Sequence, residues 1–133
     1  MYAVSVSRTC IAQHYLTVPD PGPEGTIHSH HYTIETTLRG PELDEYGYLI
    51  DIDDLRQAFD AVVESFRDRT LNDLPAFEGG NPSAERFATI VGDRLLAELD
   101  AIGAAELDAI GATKLEIAID EDDVATVSHE RDL

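Results

Sequence analysis

The stretch His28-Ser29-His30-His31-Tyr32-Thr33-Ile34-Glu35-Thr36-Thr37-Leu38 separates cleanly into two parities. In an extended chain, residues two apart point to the same side. His28, His30, Tyr32, Ile34, Thr36 and Leu38 therefore share one face. Ser29, His31, Thr33, Glu35 and Thr37 share the other. This alternation predicts a half-buried strand from about 28 to 39, ended by Gly40-Pro41. On it His28 and His30 stand side by side, a chelating pair; a helix would need a spacing of three or four. His31 turns the other way and is expected to hydrogen-bond locally or to pack at an interface. A zinc site in an enzyme usually takes three protein ligands and keeps one open position. A third ligand must therefore come from elsewhere, and His14 is the best candidate.

Residues 2–14 read as a strand, with Val4, Val6, Cys10 and Ala12 in phase with His14. A Pro/Gly-rich loop follows at 19–26, and an acidic turn through Gly47 leads on from the second strand. Over 53–66, Leu55, Phe59, Val62, Val63 and Phe66 form one apolar stripe and predict a helix, with Asp51 and Asp53 as caps. A loop at 73–82 precedes a second helix that begins at Pro82-Ser83-Ala84-Glu85, capped by Asn81 or Ser83. Its stripe is Phe87, Ile90, Val91, Leu95, Leu99 and Ile102. Lys114–Ile119 reads as a third strand and Val124–Ser128 as a short fourth. LDAIGA occurs at 99–104 and again at 107–112; two copies are too few for a repeat fold and read as a local duplication without function. The order ββααββ predicts an α+β architecture: an antiparallel four-stranded sheet with two helices on one face. The whole chain, 1–133, is expected to form one domain.

The net charge is −18, from 27 acids and nine bases, and Lys114 is the only lysine. The acids are spread along the sequence, and 43% of residues are apolar with clear periodicity, unlike a disordered acidic chain. Such an acidic, lysine-poor composition resembles proteins of salt-loving organisms, where salt screens self-repulsion. It argues against nucleic acid or anionic membrane as a partner. No apolar run reads as a membrane span or as a signal peptide. A lone cysteine forms no internal disulfide, which makes a reducing cytoplasm the expected location.

Together these segments resemble the 6-pyruvoyltetrahydropterin synthase/QueD family, which includes 6-carboxy-tetrahydropterin synthase. The resemblance covers nearly the whole chain. The family's Ala-Ala-His appears as Ala12-Gln13-His14, and its His-Gly-His-Asn-Tyr as His28-Ser29-His30-His31-Tyr32. Its Gly-x-hydrophobic-hydrophobic-Asp-Phe appears as Gly47-Tyr48-Leu49-Ile50-Asp51-Ile52. Its Leu-Asn pair is Leu71-Asn72, its Pro-Thr-x-Glu helix start is Pro82-Ser83-Ala84-Glu85, and its ring-anchoring glutamate falls on Glu121. The resemblance implies a tunnelling fold assembled as a hexamer of two trimers, with sites between subunits. It implies zinc on His14, His28 and His30, and 7,8-dihydroneopterin triphosphate or a related pterin as substrate. Glu121 would anchor the pterin ring through two hydrogen bonds.

Two family features are changed. The family's proton-accepting cysteine falls on Glu24, four residues before His28. A carboxylate beside zinc in a partly dry site can act as a general base; Glu24 is equally readable as a solvated loop acid. Cys10 is no substitute, since it lies four strand residues, roughly 13 Å, from His14, and it is expected to be buried and inert. The family's Asp-His pair falls on Arg67-Asp68; shifting by one residue puts Asp68 on the aspartate, with no histidine after it. His129 is expected just past the last strand, either at the surface or reaching a site across a subunit boundary. Glu85 reads as a first-turn helix acid. Arg8, Arg67, Arg69 and Lys114 are the bases available to a triphosphate. The leading expectation is a zinc-dependent tetrahydropterin synthase-like lyase. Its rivals are a zinc-bearing pterin- or purine-binding paralogue and a pterin side-chain-cleaving enzyme.

Overall fold

The computed structural model of the protein describes residues 1–103 and 111–133. Both copies of LDAIGA run into 104–110, outside the described residues. Four strands, β1 (Tyr2–His14), β2 (His28–Gly40), β3 (Lys114–Glu121) and β4 (Ala125–Asp132), form one sheet in the order β1-β2-β3-β4. Every neighbouring pair is antiparallel. Helices α1 (Ile52–Glu64) and α2 (Ala84–Ala101) lie between β2 and β3 in sequence. The α+β order ββααββ is the one the sequence predicts.

The two-residue period explains which face is covered. Val6, Cys10 and Ala12 of β1, Tyr32, Ile34, Thr36 and Leu38 of β2, and Leu115, Ile117 and Ile119 of β3 are all buried. Against them pack Leu55, Phe59, Val62 and Val63 of α1 and Phe87, Val91, Leu95 and Leu99 of α2. The helix α1 contacts β1, and α2 contacts β3 and β4. The opposite face is polar, with a Ser5–Thr37 hydroxyl bond at 2.7 Å and a Lys114–Glu130 pair at 3.1 Å.

The structure corrects the sequence reading at three element boundaries and decides between its candidate helix caps. First, α1 ends at Glu64, and Phe66 follows in a turn, yet it stays fully buried, edge-on to Phe87 at 5.0 Å. An apolar stripe can outlast its helix when a turn delivers the next side chain to the same core. Second, Ser83 caps α2 by accepting the Arg86 N–H at 3.1 Å, whereas Asn81 accepts the Thr17 N–H at 2.9 Å. Asp51 caps α1 by accepting the N–H of Asp53 at 2.8 Å. Third, β3 runs two residues beyond Ile119, to Glu121. Fourth, β4 runs to Asp132, so His129 lies within the strand opposite Ile117 rather than beyond it.

The register sets the site. His14 pairs directly with His28, Ala12 with His30, and Tyr32 with Glu121. Three histidines and a glutamate are thereby gathered at one end of the sheet, on the helix-bearing side.

Candidate metal centre

His14, His28 and His30 form a triangle with ring centroids 4.6, 4.9 and 4.8 Å apart. Neighbouring antiparallel strands place facing and diagonal side chains within this reach. One ligand-capable atom from each lies within 4.8 Å of those of the other two. In each ring Nδ1 is already engaged. His14 Nδ1 donates to the Pro82 carbonyl at 3.0 Å, His28 Nδ1 to the Thr26 carbonyl at 2.8 Å, and His30 Nδ1 to Asp122 Oδ2 at 2.5 Å. These tautomers follow from the hydrogen-bond network. They leave Nε2 on all three as the lone-pair atom.

Nε2 of His28 and of His30 is buried without a hydrogen-bond partner. Glu121 Oε1 lies 3.3 Å from His30 Nε2, but without hydrogen-bond geometry. Orphaned buried nitrogens are rare unless something else satisfies them. Burial holds His14 below the ordinary histidine range, against the raising effect of its bond to Pro82, which favours the neutral form that binds metals. Three imidazoles whose Nδ1 atoms are engaged elsewhere match the donor set of a catalytic zinc.

Asp122 is a site residue that the sequence reading missed. Its second oxygen, Oδ1, accepts the His31 N–H at 2.7 Å, and its own N–H donates to the His31 carbonyl at 2.8 Å. The bonds from His30 and His31 hold its carboxyl below the usual range. Within the acidic run Asp120-Glu121-Asp122-Asp123, charge alone could not single it out. The signal is the pairing of Tyr32 with Glu121, which brings the next residue beside His31. The ring of His31 itself is exposed, and the Asp122 contacts are to its backbone.

A cavity of about 260 Å³ opens beside the triangle, and its lining includes His14, Glu24, Asn81, Ser83, Glu85 and Glu121. Glu24 and Glu121 are thus brought to the same space as His14. Burial raises the Glu121 carboxyl above its ordinary value, opposed chiefly by the nearby His30. The Glu24 loop is tied to the end of β1, since its carbonyl accepts the Leu16 N–H at 2.8 Å. Glu85, read from sequence only as a helix acid, also faces the cavity.

Asp68 stands elsewhere. It adopts a left-handed backbone, φ 58°, and its N–H donates to the Ile11 carbonyl on the edge of β1 at 2.7 Å. It is not among the residues lining the cavity. Cys10 is buried, and burial pushes its thiol up. Among the described residues no lysine or arginine lines the cavity. Arg8 is paired with Asp60 at 2.6 Å and Arg67 with Glu64 at 2.8 Å. Lys114 sits at the other end of β3 from Glu121.

The chain is similar to known proteins in sequence and in fold. The sequence profile of a family described as 6-pyruvoyl tetrahydropterin synthase matches residues 3–131. The 6-carboxy-5,6,7,8-tetrahydropterin synthase of Bacillus subtilis is 30% identical over 96 residues, a match spanning 68% of this chain and 63% of that relative. The 6-pyruvoyl tetrahydropterin synthase of Plasmodium falciparum superposes with a TM-score of 0.81 at 16% identity, covering 99% of this chain and 98% of that one. A Plasmodium vivax 6-pyruvoyltetrahydropterin synthase, described as a catalytic-residue mutant with a glutamate replaced by alanine, superposes equally well at 15% identity, again over 99% and 98%. At such identities the structural likeness shows the shared fold.

Proposed function

The chain belongs to the 6-pyruvoyl tetrahydropterin synthase family, and from that premise we propose that it is a zinc-dependent lyase acting on 7,8-dihydroneopterin triphosphate or a related pterin. The observation that carries the reading is the convergence of ligand-capable nitrogens of His14, His28 and His30 beside a cavity that His14 lines together with Glu24 and Glu121. His14, His28 and His30 would hold the metal. Zinc bound there would supply a Lewis acid for the oxygens of the substrate side chain.

Glu121 would accept hydrogen bonds from the amino-pyrimidinone edge of the ring, anchoring it in the cavity. Glu24 would take a proton from the side chain, as the candidate general base. The Plasmodium vivax protein, whose mutated catalytic residue is a glutamate, supports a carboxylate in that role. Asp68, which the resemblance makes a candidate catalytic residue assisting proton transfer, lies outside this cavity, so that part would require a neighbouring copy. That is consistent with a hexamer of two trimers whose sites lie between subunits. The same neighbour would have to supply bases for a triphosphate.

The test is to give zinc-loaded protein dihydroneopterin triphosphate in high salt and to identify the pterin product. A 6-pyruvoyl- or 6-carboxy-type product is expected. No turnover with retained pterin binding would overturn the synthase reading in favour of a zinc-bearing binding protein. Glu24→Gln is predicted to cut turnover by roughly 100-fold or more while zinc content stays unchanged. Equal turnover would remove Glu24 from the mechanism.

A further inference from the structure

The three imidazoles are not supported alike. His14 and His28 each donate Nδ1–H to a backbone carbonyl, neutral and fixed by the chain path. His30 donates to a side chain, the carboxylate of Asp122. We propose that Asp122 is the positioning residue of the metal centre, fixing the tautomer and orientation of His30 so that its Nε2 faces the metal. The inference rests on the reading of His14, His28 and His30 as ligands and adds a residue to it.

The geometry leaves Asp122 little freedom. One oxygen takes the His30 ring N–H and the other the His31 backbone N–H, while the Asp122 N–H returns a bond to the His31 carbonyl. The carboxylate is thereby clamped to the same β2 segment that carries the ligand. It occupies a left-handed position, φ 56°, immediately after Glu121. A carboxylate accepts at both oxygens and donates at neither, so it admits only a His30 ring protonated at Nδ1. Carboxylate–histidine–metal arrangements of this kind orient the ligand, and their loss typically weakens metal binding.

Asp122→Asn makes the discriminating test. An asparagine has one acceptor oxygen for two donors. If that oxygen keeps the His31 N–H, its NH₂ group faces His30 Nδ1. The ring proton must then move to Nε2, the atom needed by the metal. Asparagine tolerates the left-handed backbone, so the turn is retained.

Two measurements follow. Zinc affinity, read by competition with a chromophoric chelator, is expected to fall roughly 10- to 100-fold in D122N. Histidine ring nitrogen NMR on the metal-free protein is expected to show His30 protonated at Nδ1 in the native chain and at Nε2 in D122N. D123N removes the same charge one residue along and is expected to leave both readouts unchanged. Equal zinc affinity in D122N and the native chain would overturn the inference, as would an equal loss in D123N. If D122N does not fold, the native chain alone still decides, because a His30 proton on Nε2 overturns the proposal. A native chain that binds no zinc at all would overturn the ligand reading itself. That result is distinct from a native chain that binds zinc and a variant that binds it equally well.

Discussion

His14 is 4% exposed, and burial keeps its pKa below 6.5. In the unfolded chain it titrates near the ordinary value. Below pH 6.5 the unfolded state therefore binds more protons at this position than the folded state. Stability rises with pH wherever the unfolded state is the better proton acceptor. The contribution of His14 is complete above about pH 6.5 and is lost as pH falls toward its lower folded-state value. Urea unfolding of chelator-treated protein from pH 7.5 to 5.5 is expected to show this loss, with a shallower pH dependence in His14→Gln. An identical slope in the two proteins would remove His14 as its source.

Among the elements, the start of α2 has the closest bearing on the site, because Pro82, whose carbonyl holds His14, immediately precedes the Ser83 cap. Ser83→Ala is predicted to cost about 1 kcal/mol, the usual value of a lost N-cap, measured in urea. A cost near zero would show that packing alone holds the helix start. Most elements were legible in the sequence because their apolar positions repeat with a period of two or 3.6. The strand β4 was legible only at its start. As an edge strand it is polar outward, and its inward Arg131 covers α2 by bonding Asp93 at 2.6 Å and the Thr89 carbonyl at 2.9 Å; such pairing has no apolar signature. The site divides in the same way. His28 and His30 declare themselves by parity, and His14 by its phase on β1. Asp122 depends on a register between β2 and β3, strands some 90 residues apart in sequence, which no local pattern contains.

For the molecule as a whole, the charge of −18 outweighs what its bases can compensate. Several bases are already committed to local acids, as Arg8 is to Asp60 and Arg131 to Asp93. Exposed pairs of this kind are worth about 0–1 kcal/mol each, too little to offset repulsion summed over the surface. At 1 M ionic strength the screening length shrinks to about 3 Å, and the repulsion fades. The melting temperature is therefore expected to rise by several degrees between 0.1 and 2 M KCl. A melting temperature that is flat or falling with salt would show that self-repulsion does not limit this fold.

Two of the three imidazoles lean on peptide carbonyls, those of Thr26 and Pro82. A carbonyl is present whichever side chain its residue carries. Positions 26 and 82 can therefore drift over generations without disturbing those rings, provided the main chain keeps its course. Position 122 has no such freedom, because there the acceptor is the side chain itself. The evolutionary fragility of the centre is concentrated at one residue outside the histidine motif.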